Sequence, residues 1–141
     1  MKLKFGIIIT LIFSMALAMM PTEKAEAAMG RWDSLGKGCK VRVWVDAYTY
    51  TKKASSIDWY AQTNGKCGTL KYTARIAISE GYLEYQMKGS FSKRTPVKKF
   101  PLSKLRKEGP RRKDVTVDVL VSNPSKGIHG FVSSHDIIVN W

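Results

Sequence analysis

The amino-acid sequence predicts a small all-β domain, built as an antiparallel barrel or sandwich. Three observations favour this class. Apolar and polar residues alternate along several short segments, turn dipeptides such as Asn64-Gly65 and Glu80-Gly81 separate them, and no window longer than two turns carries a helical stripe. We expect at most one short helical turn, at 103–108, where Ser103 could act as its cap.

The first alternating segment runs from Cys39 to Thr51 and predicts a half-buried antiparallel strand. Its apolar face comprises Val41, Val43, Val45 and Ala47. Its other face comprises Lys40, Arg42, Trp44, Asp46, Tyr48 and Tyr50. A shorter segment, 57–62, predicts a second strand that ends at the Asn64-Gly65 turn.

Further strands follow along the rest of the chain. The alternating segments that predict them are 68–79, 82–91, 115–121, 128–132 and 136–139. Asn123-Pro124 ends the strand that contains four valines in phase. Strands this short, with turns this frequent, are typical of a barrel or a sandwich.

Residues 1–27 have the parts of a secretory signal peptide. Lys2 and Lys4 form a basic start, 5–20 is an almost unbroken apolar run, and Ala25-Glu26-Ala27 supplies the small residues that a signal peptidase reads. The apolar run is shorter than the ~20 residues that a membrane-spanning helix needs. We therefore predict cleavage after Ala27, which leaves 28–141 as a single secreted domain without a transmembrane segment.

The predicted secreted part carries a large positive charge and both cysteines. The whole chain has a formal net charge of +13, and removing the three bases and two acids of residues 1–27 leaves +12. Such a surplus should attract polyanions and make their binding strongly dependent on salt. Cys39 and Cys67 predict a structural disulfide in an oxidising compartment, worth roughly 3–4 kcal/mol of stability. Their spacing fits neither a zinc motif nor a redox pair.

Ten of the bases fall between residues 93 and 113, where Glu108 is the single acid. Three prolines interrupt this segment, so we predict a long, partly extended loop between two strands. The forked guanidinium groups of arginine and the mobile ammonium groups of lysine are suited to binding phosphates or carboxylates. The alternative interpretation is a solvated loop whose charges serve only solubility. The predicted anion-binding residues are Lys93, Arg94, Lys98, Lys99, Lys104, Arg106, Lys107, Arg111, Arg112 and Lys113.

Aromatic side chains beside the bases of the first strand suggest a second contribution to binding. Trp44, Tyr48 and Tyr50 could stack on sugar rings or nucleobases while the neighbouring cations hold a charged backbone. A second sheet packed over this face would instead make the same residues part of the core. Trp59 and Tyr60 carry the same two interpretations.

The C-terminal segment carries a longer pattern. A strand at 117–123 leads through a glycine-containing loop into Gly130-Phe131-Val132, which is followed by a short turn and a final apolar strand. Residues 46–50 and Gly68-Thr69-Leu70 fit an opening strand and a second turn of the same pattern. Together these segments resemble bacterial SH3-type domains, in which 80–113 would be an insertion. The resemblance implies an SH3-like fold and, for exported members, association with the cell wall.

An enzymatic interpretation depends on the two histidines. His135 could be the general acid of a secreted ribonuclease, with Glu80 or Glu84 as the base and Arg75 on the phosphate. No motif joins these residues, and His129, His135 and the adjacent aspartate have no familiar metal-ligand spacing. We therefore predict no catalytic residue, no metal and no cofactor.

The sequence thus predicts a secreted, cationic binding protein that acts at anionic polymers or surfaces of the cell envelope. Teichoic acid, peptidoglycan and anionic lipid are the expected partners, and nucleic acid would be a partner only of the ribonuclease alternative. The role would be antimicrobial if the envelope is that of a competitor. It would be cell-wall association if the envelope is the cell's own.

Overall fold

The computed structural model describes residues 28–107 and 112–140, with the backbone alone for Arg112. The predicted signal peptide, residues 1–27, lies outside the described residues. Ala28, which follows the predicted cleavage site, is the first described residue. In chain order the strands are β1 (Ala28–Met29), β2 (Asp33–Ser34), β3 (Lys40–Val45), β4 (Thr49–Tyr50), β5 (Ser56–Thr63), β6 (Leu70–Ile78), β7 (Gly81–Phe91), β8 (Lys98–Pro101), β9 (Arg112–Asn123), β10 (Ile128–Ser133) and β11 (Ile137–Asn140). A short helix, α1 (Leu102–Arg106), precedes β9, and a 3-10 turn (Pro124–Lys126) follows it.

These strands form two sheets. The first has the order β1–β3–β5–β8, with β2 also paired to β3, and the second has the order β4–β11–β9–β6–β7, with β10 also paired to β9. All pairings are antiparallel apart from the parallel pair of β4 and β11. The predicted all-β class is confirmed, and of the two predicted forms the structure has the sandwich, since no sheet closes into a barrel within the described residues.

The core lies between the two sheets and follows the period-two pattern of the sequence. Most inward side chains of β3, β5 and β9 are buried apolar residues, and the exceptions are the buried polar residues Thr63, Lys113 and Asn123. Trp59 is the largest of these side chains, and its ring stacks on Phe100 at 5.7 Å and meets the edge of Tyr72 at 6.1 Å. Trp59 is therefore a core residue, and the stacking interpretation does not apply to it.

The predicted disulfide between Cys39 and Cys67 is confirmed. It joins the segment that leads into β3, in the first sheet, to the segment that leads into β6, in the second sheet. Both cysteines are completely buried, and the side-chain amide of Asn123 donates a 3.0 Å hydrogen bond to the Cys67 carbonyl oxygen. The disulfide thus fixes one end of the sandwich.

The first alternating segment is not one strand, which corrects the prediction for 39–51. β3 ends at Val45, and β4 then pairs with β11 in the second sheet. The chain turns at Asp46, whose carboxylate accepts hydrogen bonds from the Tyr50 hydroxyl and from the Asp58 backbone N–H. Tyr50 is buried, and burial and the nearby Asp46 carboxylate raise the pKa of its hydroxyl above the ordinary value.

The basic segment does not form a single long loop. β8 pairs with β5 as an edge strand, and α1 follows it directly. The helix has no side-chain cap, because Ser103 lies inside it rather than before it. Leu102 and Leu105 anchor the helix by burying their side chains against the sandwich. No helix in the described part of the chain is long and apolar enough to cross a membrane.

Candidate functional site

The ten predicted anion-binding residues are dispersed over the molecule. Arg94 and Lys99 lie on the solvent side of the first sheet, and Lys104 and Lys107 lie on or beside α1. Lys113 is buried in β9. The remaining residues are the exposed Lys93, the half-buried Lys98 and Arg106, Arg111 outside the described residues, and Arg112 with only its backbone described.

The solvent side of the first sheet collects aromatic rings and cations into one surface, which we call the aromatic–cationic face. The second sheet packs on the opposite, valine-bearing side of β3, so this face is open to solvent and is not core. Its members are Trp32, Arg42, Trp44, Tyr60, Gln62 and Arg94.

One stack on this face contains three side chains. The Trp44 and Tyr60 rings are cross-strand partners in β3 and β5, and they stack at 4.8 Å with an angle of 17° between their planes. The Arg94 guanidinium lies 5.0 Å from the Tyr60 ring centroid. Cross-strand aromatic pairs and cation–ring contacts each contribute of the order of 0.5–1 kcal/mol, so the stack holds the arginine in place at a solvent-exposed site.

A second stack lies beside the first. The Arg42 guanidinium lies 4.3 Å from the Trp32 ring centroid, and Arg42 Nη2 donates a 3.2 Å hydrogen bond to Gln62 Oε1. Trp32 is 39% exposed, so one part of its ring is available to a ligand. Gln62 also forms an isolated bridge with Arg94, and it therefore connects the two stacks.

The local sequence explains why these residues meet. Period two places Arg42 and Trp44 on the same side of β3, and the antiparallel register sets them opposite Gln62 and Tyr60. Arg94 joins them because the chain after β7 runs along β5, where the Thr63 N–H donates to the Lys93 carbonyl and the Thr95 N–H donates to the Ala61 carbonyl.

An ion pair occupies the same side of the sheet one row further along. Lys99 donates to the Asp58 carboxylate, which also accepts a 2.6 Å hydrogen bond from the Ser56 hydroxyl. Burial alone would raise the pKa of the Asp58 carboxyl, but the hydrogen bonds and the positive charge of Lys99 outweigh it and hold the pKa below its ordinary value. Lys99 therefore has an internal partner, unlike Arg94, for which the described residues supply no carboxylate.

Tyr48, the third predicted stacking residue, lies apart from this face. It is 43% exposed in the turn between β3 and β4, and its ring centroid lies 5.6 Å from that of His135. Of the three predicted stacking residues, Trp44 is thus on the face, Tyr48 is elsewhere and Tyr50 is buried. Trp32 and Gln62 were missed, and the only sequence signal for Trp32 was an aromatic beside Arg31 before the first long strand.

A hollow of about 370 Å³ lies beside α1 and shares no residue with the aromatic–cationic face. The register of β6 and β7 shifts by a bulge opposite Ile76, and this bulge carries Tyr85. Lys104 Nζ lies 5.9 Å from the Tyr85 ring centroid. The hollow is lined by Leu83, Glu84, Tyr85, Lys104 and Lys107. Lys104 lies farther from its aromatic ring than Arg42 and Arg94 lie from theirs. The hollow therefore combines two predicted anion-binding residues, Lys104 and Lys107, with a longer cation–aromatic contact.

Arg106 holds two parts of the backbone together. Its guanidinium donates hydrogen bonds to the carbonyl oxygens of Thr51, at 3.2 Å, and Ala54, at 2.6 Å, which ties α1 to the turn after β4. The neighbouring Lys107 is exposed. Arg106 is therefore expected to stabilise the fold, whereas Lys107 is available to a ligand.

We predict that Arg106→Gln lowers the free energy of unfolding by about 1–2 kcal/mol, because it removes two charge-assisted hydrogen bonds to backbone carbonyls. Lys107→Gln makes the same change in charge at an exposed position and should shift stability by less than about 0.5 kcal/mol. Urea unfolding of both variants measures the difference. Equal stability of the two variants would contradict the structural role of Arg106.

The residues of the ribonuclease alternative do not form a constellation. His135 Nε2 lies 2.7 Å from the Met29 carbonyl oxygen, and the Arg75 guanidinium lies 4.4 Å from the Tyr82 ring centroid. A hydrogen bond from the Ser79 side chain holds the pKa of the exposed Glu80 below its ordinary value. In the described ranges no hydrogen bond or ion pair joins His135 to Glu80 or Glu84.

The surroundings of His135 form an open groove of about 700 Å³ between the β1–β2 segment and the loop before β11. Arg31 and Asp33 form an ion pair at 3.7 Å along one wall, and the exposed Phe131 lies on the other. No group of three or more potential metal-ligating side chains is found among residues 28–107 and 112–140.

The fold and the face together define a class: an all-β sandwich, closed at one end by a disulfide, that presents cations and aromatic rings on the solvent side of one sheet. The model of one family, described as the YqgA MG2 macroglobulin domain, matches residues 25–140. Since the match covers most of the chain, the protein belongs to this family.

A relative in Bacillus subtilis (strain 168) is described as "Cell wall-binding protein YqgA". It is 51% identical over 108 residues, which are 74% of this chain and 76% of the relative. No solved structure matches the chain. The comparisons give no support to the resemblance to bacterial SH3-type domains, although the all-β class implied by that resemblance is confirmed by the fold.

Proposed function

We propose that this protein binds the cell wall by holding an anionic wall polymer on the aromatic–cationic face. The observation that carries the proposal is the pair of cation–aromatic stacks, Arg42 on Trp32 and Arg94 on Tyr60, on the open side of a sheet. Stacking fixes the direction of each guanidinium before a ligand arrives, so less conformational entropy is lost on binding.

The net charge supports the same function at longer range. A charge of +12 on residues 28–141 attracts a polyanion and raises the rate of encounter. Exposed lysines elsewhere, including Lys93, Lys104 and Lys107, add to this attraction. The aromatic rings and guanidinium groups of the two stacks then contact the polymer directly.

The Bacillus subtilis relative is described as a cell wall-binding protein, and this description supports a wall-associated role for the present protein. Secretion is part of the proposal. The signal-peptide pattern of residues 1–27 and the disulfide both suit a protein that works outside the cytoplasm, with 28–141 as one secreted domain.

Binding of the secreted protein to purified cell walls should weaken steeply with salt, by about tenfold or more between 50 and 300 mM NaCl, because the polymer's counterions are released on binding. Sedimentation of walls with bound protein measures this dependence. A protein of similar size and near-neutral charge is the control for trapping in the walls. Retention that stays constant across the salt series would contradict an electrostatic mechanism.

A further inference from the structure

The two stacks on the aromatic–cationic face meet in a row of hydrogen-bond donors. Gln62 lies between Arg42, its partner in β3, and Arg94, its bridge partner on the other side. Neighbouring strands are about 4.8 Å apart, so the three backbone positions lie within about 10 Å. Gln62 Oε1 accepts a hydrogen bond from Arg42 Nη2, and Arg42 Nε is buried, so the donors left for a ligand are the Gln62 amide nitrogen, Arg42 Nη1 and the fork of the exposed Arg94.

Aromatic rings border this donor row at two places. Trp32 is in contact with Arg42, and the Trp44–Tyr60 pair lies beside Arg94. A ligand that fits therefore has its negative charge over the donor row and a ring or polyol unit at each of these two places. A phosphodiester linkage has this arrangement, because its charge sits between the two units that it joins. A carboxylate, by contrast, is a branch or an end of its chain.

We propose that the face recognises a phosphodiester-linked wall polymer, with one phosphate between Arg42 and Arg94 and an adjoining sugar or polyol unit against Trp44 or Trp32. The non-bridging oxygens of the phosphate accept hydrogen bonds from the two guanidinium forks and from the Gln62 amide. The aromatic rings exclude water from one side of these bonds. This inference rests on the proposed wall binding and names the ligand of the same face.

Binding to two wall preparations tests the inference. Intact Gram-positive walls are compared with the same walls after hydrofluoric acid has removed the phosphodiester-linked polymers and left the peptidoglycan. The protein should bind intact walls at least about tenfold more tightly, and a phosphodiester-linked polymer isolated without cleavage from untreated walls should compete better than a polycarboxylate of equal charge. Equal binding to both preparations overturns the phosphodiester as the ligand but leaves the proposed wall binding supported. Binding to neither preparation overturns the proposed function itself.

A charge-conserving variant separates forked recognition from net charge. The double variant Arg42→Lys with Arg94→Lys should bind intact walls about tenfold more weakly and stripped walls unchanged, because lysine keeps the charge but loses the fork. Arg75→Lys is the matched control, since Arg75 also stacks on a tyrosine but on the second sheet. A double variant that binds intact walls as the parent does, or a control with an equal loss, overturns the inference.

Anionic lipid offers the same phosphodiester chemistry from another source. Vesicles of phosphatidylglycerol are therefore included at the same phosphate concentration as the walls. Weaker binding to vesicles than to intact walls is expected, because a headgroup at a membrane surface presents its phosphate without a polymer unit on both sides. Tighter binding to the vesicles would overturn the wall polymer as the ligand.

Discussion

Reversing the charges of Arg42 and Arg94 together should lower the affinity of the protein for cell walls by about a hundredfold or more. Each arginine is expected to make charge-assisted hydrogen bonds worth about 1.5–3 kcal/mol to the polymer, and 1.4 kcal/mol corresponds to a tenfold change in affinity. In the double variant Arg42→Glu with Arg94→Glu, two attractive contacts also become repulsive. Sedimentation with purified walls at low salt measures the loss.

The matched control is Lys71→Glu with Lys88→Glu, which makes the same change in net charge on the outward side of the second sheet. Both lysines are exposed, at cross-strand positions of β6 and β7 next to Ser90 and Thr73. This control should reduce wall binding by less than about tenfold, through long-range attraction alone. Urea unfolding confirms that both double variants are folded. An equal loss in the two would mean that net charge, and not the face, holds the wall.

The strands could be predicted because a half-buried strand imposes period two on its sequence. The valines of β3 and β9 and the alternation in β6 each indicate which side faces the core, and the structure places them there. The prediction for 39–51 failed at Asp46. The alternation continues through the turn, so the sequence pattern contains no sign that β3 ends and that Tyr50 packs in the other sheet.

The candidate site could be predicted only in part, because it is assembled from segments that are distant in the chain. Arg42 and Trp44 share a strand, so their common face follows from periodicity. Their approach to Arg94 depends on how the chain returns along β5 after the β6–β7 hairpin, and no local pattern encodes that path. Nearness in sequence did not predict a common site for the basic segment either, because Arg106 donates hydrogen bonds to backbone carbonyls and Lys113 is buried.

Removal of the disulfide should lower the free energy of unfolding by about 3–4 kcal/mol in the double variant Cys39→Ser with Cys67→Ser. In the chain-entropy account, a cross-link over 28 positions restricts the unfolded chain, and its loss returns that entropy. Natural domains are stable by only about 5–15 kcal/mol, so the change is a large part of the total. Urea unfolding of residues 28–141 with and without the two substitutions measures it.

Wall binding separates a loss of stability from a loss of the site. The disulfide lies at one end of the sandwich, and neither cysteine contributes a side chain to the aromatic–cationic face. The double serine variant should therefore unfold at lower urea concentration but bind walls with unchanged affinity under conditions where it is folded. The parent protein reduced with dithiothreitol should behave as the variant does. If reduction leaves the unfolding midpoint unchanged, the cross-link does not constrain the unfolded chain. If the folded variant loses wall binding, the disulfide also positions the face, through β3, at whose start Cys39 lies.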